Sequence, residues 1–136
     1  MEKLPHILLV DDDDTTNFLN ELLLKKLGVT DQVQVAASAE QALELLTQPP
    51  PFLPTLLLLD VKMPGMGGIK FLEAYQQLPP DQQAATTIVM LTTSMDGRDL
   101  ARLDELPIAG LVSKPLTREK IDEVLQLHFQ RRLPAE

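Results

Sequence analysis

The chain contains no cysteine, and its basic residues are outnumbered by acidic ones. The absence of thiols excludes disulfide bonds, thiolate metal sites and a cysteine nucleophile. The 12 Lys and Arg residues stand against 20 Asp and Glu residues, which gives a net charge of −8. A surface with this charge repels nucleic acid, so we expect no direct DNA or RNA binding.

Long apolar runs are also missing. No run approaches the length of a membrane span, and the first five residues do not resemble a signal peptide. These features predict a protein that makes no membrane contact and is located in the cytoplasm. The 136 residues, of which 44% are hydrophobic, are sufficient for one domain with one core.

Short apolar runs bounded by turn residues predict the strands of a parallel sheet. The most informative run is residues 56–59, because four consecutive leucines have no two-residue period and indicate a strand buried on both faces. The same reasoning predicts further strands at residues 6–10, 33–36, 87–91 and 110–113.

Amphipathic segments after these strands predict five helices. The first helix, after residue 14, has an apolar face formed by Phe18, Leu19, Leu22 and Leu23. The last helix, residues 117–130, is expected to turn Ile121, Val124, Leu125 and Phe129 inward. The Pro79-Pro80 pair should end the third helix.

The alternation of strands and helices predicts a single doubly wound α/β domain. Strands joined by helical crossovers are parallel, so we expect a five-stranded parallel sheet flanked by five helices. The common strand order for this architecture is the flavodoxin-like order 2-1-3-4-5.

Polar residues stand at four of the predicted strand ends: Asp11 and Asp12, Asp60, Thr92 and Lys114. The carboxyl ends of parallel strands meet at one edge of a sheet, so these side chains should lie together. Three neighbouring carboxylates repel one another unless a cation neutralises them, and oxygen ligands suit Mg²⁺. The set predicts phosphoryl transfer to Asp60 as nucleophile, with Lys114 and Thr92 facing the phosphoryl oxygens. Thr93 and Ser94 are expected at the same edge.

The ordered motifs resemble the response-regulator receiver domain of two-component signalling. They are residues 8–12 (LLVDD), 58–60 (LLD) with 63–64 (MP), 90–92 (MLT) and 114–115 (KP). Each motif is short, but the set occurs in the order and spacing of that family and covers nearly the whole chain.

The resemblance implies a role for each site residue. Asp60 would accept a phosphoryl group from a sensor histidine kinase or a histidine phosphotransfer protein. Asp11, Asp12 and Asp60 would hold Mg²⁺, with the backbone carbonyl of Lys62 as a further ligand. Thr92 would move toward the phosphoryl group as the switch, and Lys114 would pair with that group. A cis peptide bond between Lys114 and Pro115 is also implied.

The resemblance further implies how such a chain signals. It would be a phosphoacceptor with intrinsic phosphotransfer and autodephosphorylation, and not an enzyme. Residues 1–136 would form a single receiver domain, with its core between residues 5 and 130 and no output domain, either as a stand-alone receiver or as a fragment of a longer regulator. An unknown downstream protein or a phosphorylation-dependent dimer would contact the last two predicted helices and the last strand, including Leu127. Leu111 departs from the family because receivers usually carry an aromatic residue there.

Two other classes of function remain open from the sequence. Residues 11–15 (DDDDT) also satisfy the signature of haloacid-dehalogenase-like phosphatases, in which Asp11 would be the nucleophile and Asp13 the general acid. That family needs a further acidic pair, for which Asp122 and Glu123 are the candidates. The second alternative is a receiver-like interaction module that is not phosphorylated.

Overall fold

The computed structural model describes residues 2–93 and 97–134 of the chain. Within these residues, five strands alternate with helices along the chain, and six helices are present. The elements are β1 Ile7–Val10, α1 Asp14–Lys26, β2 Val33–Ala36, α2 Ala39–Thr47, β3 Leu56–Asp60, α3 Gly68–Tyr75, α4 Pro80–Ala84, β4 Thr87–Thr92, α5 Gly97–Leu103, β5 Gly110–Ser113 and α6 Arg118–Phe129.

The five strands form one parallel sheet in the order β2-β1-β3-β4-β5, as predicted. The central strand β3 is buried along its whole length, which explains why its leucines show no two-residue alternation. Val10 lies opposite Leu59 in the neighbouring strand, so the residues that follow β1 emerge beside Asp60. The register of the sheet therefore brings the acidic strand ends to one edge.

Two apolar layers enclose the sheet. One layer packs α2 and α3 against one face through residues such as Ala42, Leu46 and Phe71. The other layer packs α1 and α6 against the opposite face through residues such as Leu24 and Leu125. Among the described residues, no helix has the length and apolar character needed to cross a membrane.

The expectation of five helices is wrong by one, because a further short helix, α4, begins at Pro80. The helix α3 ends at Tyr75, four residues before Pro79, and Pro80 is the first residue of α4. A proline fits that position because the first turn of a helix needs no donor from its backbone nitrogen. The backbone N–H groups of Gln82 and Gln83 both donate to the carbonyl of Pro79, which closes this short helix.

The apolar face predicted for α1 exists, but most of it points to solvent. Phe18, Leu19 and Leu22 are 66%, 55% and 54% exposed. The buried residues of α1 are instead Asn17, Asn20 and Leu24. The polar inner face reflects the position of α1, whose first turn lies against the polar edge of the sheet.

Candidate functional site

Three carboxylates meet where β1 and β3 end. Asp11 directly follows β1 and is 4% exposed, while Asp60 is the last residue of β3 and is 7% exposed. Asp12 is exposed at the mouth of the site. Carboxylate oxygens from the three residues lie within 4.8 Å of one another. The sheet therefore assembles the acidic cluster that the sequence predicts.

The ammonium group of Lys114 lies between two of these carboxylates. Its Nζ is 2.9 Å from Asp11 Oδ2 and 3.0 Å from Asp60 Oδ1. Lys114 follows β5, and its backbone N–H donates to the carbonyl of Thr92 at 2.8 Å. The peptide bond between Lys114 and Pro115 is cis, as the resemblance implies. A charged donor thus faces the position that an oxygen of a group attached to Asp60 would occupy.

The loop after β1 is held by contacts that the sequence analysis did not identify. The side-chain amide of Asn17 donates to the backbone carbonyl of Asp11 at 2.8 Å. The backbone N–H of Asp13 donates to Asp11 Oδ1 at 2.9 Å. Asn17 thereby anchors α1 to the acidic cluster. Its signal in the sequence is a polar residue next to the apolar stripe of a helix, which alone does not identify a partner.

Gly68 permits α3 to begin against the end of β3. A Cβ atom at this position would lie 2.9 Å from the Asp60 carbonyl oxygen and 2.9 Å from the terminal methyl group of Met90. The backbone N–H of Gly68 donates to the carbonyl of Val61 at 2.9 Å. The close approach fixes the path of the chain just after Asp60.

The carboxylates and the lysine change each other's affinity for protons. Burial raises the pKa of Asp60, and the negative charges of Asp11 and Asp12 raise it further, although Lys114 acts in the opposite direction. Burial on its own would lower the pKa of Lys114, but its hydrogen bonds to Asp11 and Asp60 outweigh that effect and raise it. The lysine therefore stays protonated. Additional positive charge would stabilise the ionised carboxylates of the acidic cluster.

The donor set of this cluster fits a divalent cation. Asp11, Asp12 and Asp60 provide oxygen ligands within one small volume, and Mg²⁺ prefers a few carboxylates together with water and phosphate oxygens. Burial is the main cause of the raised pKa of Asp60, and the charges of Asp11 and Asp12 add to it, so a nearby cation would favour the ionised carboxylate. Lys62, whose carbonyl is the further predicted ligand, follows two residues after Asp60 and has an exposed side chain.

Thr92 is the last residue of β4 and is partly buried. The strand β4 lies between β3 and β5. Thr92 pairs in register with Ser113, immediately before Lys114. Thr93 is exposed, and Ser94 lies outside the described residues. The structure thus brings the predicted side chains that it describes to the same edge of the sheet.

The residues required by the phosphatase alternative are arranged unfavourably for that chemistry. Asp13 caps α1 by accepting hydrogen bonds from the Thr16 hydroxyl and the Thr15 N–H. These bonds lower the pKa of Asp13, whereas a general acid needs a raised one. Asp122 lies in α6 and accepts hydrogen bonds from the Leu133 backbone and the Gln126 side chain.

A groove of about 580 Å³ runs along α1 beside the site. One wall is the exposed apolar side of α1, with Leu19 and Leu22, and the other is the segment Lys114 to Leu116. Lys26 lies at the far end of α1 and also lines the groove. The groove therefore links an apolar surface to the edge of the sheet that carries the acidic cluster.

The sequence matches a known family over most of its length. Residues 7–126 match the family model of the response regulator receiver domain. The probable chemotaxis protein CheY of Rhizobium etli is 32% identical over 123 residues, which are 90% of this chain and 91% of that protein. The transcriptional regulatory protein AfsQ1 of Streptomyces coelicolor is 30% identical over 131 residues, and the match spans 94% of this chain but 52% of AfsQ1.

A solved structure supports the same relationship. The two component response regulator from Cytophaga hutchinsonii aligns with a TM-score of 0.80 at 26% identity. The alignment covers 96% of this chain and 100% of that one. The five-stranded order and the placement of the helices are therefore shared along nearly the entire chain.

Proposed function

Since the chain belongs to the response regulator receiver family of two-component signalling, we propose that Asp60 is its phosphoacceptor. The observation that carries the proposal is the environment of the Asp60 carboxylate. It lies at the end of the central strand, is nearly buried, and has the Lys114 ammonium 3.0 Å from one of its oxygens. A nucleophilic oxygen and a neutralising cation are thus adjacent, as phosphoryl transfer requires.

The proposed reaction moves a phosphoryl group from a donor histidine to Asp60. An oxygen of Asp60 attacks the phosphorus atom, an O–P bond forms, and the P–N bond breaks as the imidazole leaves with its electron pair. The Lys114 ammonium pairs with one phosphoryl oxygen, and the Thr92 hydroxyl turns toward another. The product is an acyl phosphate that stays on the chain, so in this proposal the chain acts as a phosphoacceptor with intrinsic autodephosphorylation rather than as an enzyme.

The metal in this proposal is Mg²⁺, held by Asp11, Asp12, Asp60 and the backbone carbonyl of Lys62. When bound, it neutralises negative charge that develops on the phosphoryl oxygens. Asn17 and the Asp13 backbone keep Asp11 in place, because they bind its carbonyl and one of its carboxylate oxygens. The second carboxylate oxygen of Asp11 is left to face Lys114 and the cluster.

The donor in this proposal is a sensor histidine kinase or a histidine phosphotransfer protein that docks on α1. A donor histidine has to approach Asp60 from the mouth of the site, so its protein must cover the surface around that mouth. The groove beside Lys114 offers exposed Leu19 and Leu22, which fit the apolar face of a donor helix. Lys26 at the groove end suits an acidic residue of the same donor helix.

The output in this proposal passes through a different surface, formed by α5, β5 and α6. Leu100, Leu111 and Leu127 are exposed there, at 46%, 42% and 69%. An unknown downstream protein, or a second phosphorylated copy of the chain, would cover these leucines.

The decisive experiment is phosphoryl incorporation followed by intact-mass spectrometry. Wild type, Asp60→Asn and Asp11→Asn are incubated with acetyl phosphate and Mg²⁺, and then rapidly quenched. We expect the wild type to gain one phosphoryl group, Asp60→Asn to gain none, and Asp11→Asn to react more slowly through weaker metal binding. Addition of EDTA before acetyl phosphate should prevent labelling of the wild type.

Two outcomes would contradict the proposal. If Asp60→Asn were labelled and Asp11→Asn were not, Asp11 would be the nucleophile and the phosphatase alternative would replace the receiver function. If the wild type took no label from acetyl phosphate or from a phosphorylated histidine donor, the chain would be an interaction module that is not phosphorylated.

A further inference from the structure

A lysine occupies an unfavourable position in the first turn of α6. Thr117 caps this helix, and its hydroxyl oxygen accepts the backbone N–H of Lys120 at 3.3 Å. Three residues after a threonine cap, Glu or Gln is favoured because its side chain can bind back to the cap. A cation there also opposes the helix dipole, which favours negative charge near the N-terminus. The side chain of Lys120 therefore does not stabilise the N-terminus of α6 as a capping residue would.

Its partners are two backbone carbonyls on either side of Lys114. Lys120 Nζ donates to the carbonyl oxygen of Ser113 at 2.8 Å and to that of Pro115 at 3.1 Å. Ser113 ends β5, and Pro115 begins the turn into α6. The ammonium group thus clamps the short segment that carries the lysine of the site.

The clamp restricts a side chain whose position matters for the proposed reaction. Lys114 reaches both Asp11 and Asp60 from this segment, and its backbone N–H is bound to the Thr92 carbonyl. Without Lys120, the carbonyls of Ser113 and Pro115 would turn to water and the segment would gain freedom. Small displacements of a charged group at a reacting centre lower rates strongly.

We infer that Lys120 is a positioning residue for phosphoryl transfer, which acts by holding the segment 113–115 so that Lys114 faces Asp60. The inference rests on the proposed function, because it concerns the rate at which Asp60 is labelled. It adds a residue of α6 that lies outside the acidic cluster and touches none of the reacting atoms.

Two variants separate positioning from general stability. In Lys120→Gln the ammonium is lost, but glutamine can complete the capping box with Thr117, so the melting temperature should equal or exceed that of the wild type. We expect Asp60 of this variant to be labelled by acetyl phosphate about tenfold more slowly. Loss of a residue that orients a group of the site usually has an effect of this size. Lys120→Arg keeps a charged donor and should be labelled within about twofold of the wild-type rate.

The backbone amide of Lys114 gives a readout that does not depend on labelling. Its hydrogen exchange, measured by NMR without Mg²⁺ or donor, should be about tenfold faster in Lys120→Gln because its bond to Thr92 opens more often. The exchange of Lys120→Arg should stay near the wild-type rate, and amides in the centre of β3 should be unchanged in both variants.

The inference fails if Lys120→Gln is labelled as fast as the wild type, or if it is slower while the Lys114 amide is unaffected. It also fails if Lys120→Arg is as slow as Lys120→Gln, because the charge would then not be the active feature. A wild type that takes no label at all would instead contradict the proposed function. If the wild type is labelled and substitution of Lys120 leaves the labelling rate unchanged, only the positioning role is contradicted.

Discussion

The first and last helices pack on the same side of the sheet, yet they are held there by different chemistry. The last helix, α6, buries Ile121, Val124 and Leu125, the apolar face that its periodicity predicts. The first helix, α1, buries Asn17 and Asn20 with Leu24, and it leaves its apolar residues largely exposed. One helix is anchored by the hydrophobic core, while the other is anchored in part by polar contacts to the acidic cluster.

The difference follows from what each helix adjoins. The first turn of α1 lies next to the end of β1, where the carbonyl of Asp11 needs a donor and receives one from Asn17. The inner face of α6 instead meets the side chains of the sheet in a buried apolar layer. An apolar stripe therefore predicts a helix in both cases, but it predicts the buried face only where the helix covers the core.

The largest effect expected from this difference is on stability. Leu125 is fully buried in α6, so Leu125→Ala should lower the free energy of unfolding by about 3 kcal/mol through lost burial and the cavity that remains. Leu22→Ala, at a half-exposed position of α1, should lower it by less than about 0.5 kcal/mol. Urea unfolding followed by circular dichroism measures both values. Equal losses would mean that α1 buries its leucines as α6 does.

The sequence was sufficient to predict the sheet and most of the site. The strands were recognisable because buried parallel strands are continuous apolar runs, and the site followed because their carboxyl ends converge at one edge. That convergence predicts the meeting of Asp11, Asp60 and Lys114 although they are far apart in the chain. The exact contacts among them depend on register, which the structure supplies.

Other features could not be predicted because their causes are not local. The helix α4 was missed because a pair of prolines was interpreted as a break, although Pro80 also suits the first turn of a new helix. Asn17 and Lys120 bind backbone carbonyls, and carbonyl groups carry no sequence signal. Asn17 looks like an ordinary polar position of a helix, and Lys120 is unusual only as a cation where Glu or Gln is favoured, so neither residue indicates its partner in the sequence.

The second comparison asks whether an exposed leucine of α1 or one of α6 is needed for phosphotransfer from a protein donor. Leu19 of α1 lines the groove beside Lys114, whereas Leu127 of α6 lies on the surface assigned to output. Leu19→Glu places a charge in the proposed donor interface, so phosphotransfer from a histidine kinase or phosphotransfer protein that labels the wild type should slow about tenfold. Leu127→Glu should be labelled by the same donor at the wild-type rate.

Acetyl phosphate provides the control for this second comparison, because a small donor needs no docking surface. Leu19→Glu should be labelled by it at close to the wild-type rate, with an unchanged circular dichroism spectrum. If Leu127→Glu lost phosphotransfer and Leu19→Glu did not, the donor would dock on α6, and the assignment of the two helices would be reversed.

The smallest effect expected is a dependence of stability on pH that involves the acidic cluster and not the apolar core. The raised pKa of Asp60 means that the folded protein holds this proton more tightly than the unfolded chain does. The resulting stabilisation is complete below the unfolded pKa and is lost as pH rises through the folded pKa. In metal-free protein at pH 7.5, ionised Asp60 should therefore cost stability, and Asp60→Asn should raise the free energy of unfolding modestly.

The gain from Asp60→Asn should shrink as pH falls through the raised pKa of Asp60, because the wild-type carboxyl then becomes neutral too. Leu125→Ala should lose the same amount of stability at each pH, since no charge is involved, and Asp104→Asn at an exposed position should change little. Saturating Mg²⁺ should stabilise the wild type more than Asp60→Asn and so remove or reverse their difference at pH 7.5. A difference that stayed constant across pH and was insensitive to Mg²⁺ would show that the Asp60 charge carries no cost, and would contradict the contrast between the acidic cluster and the apolar core.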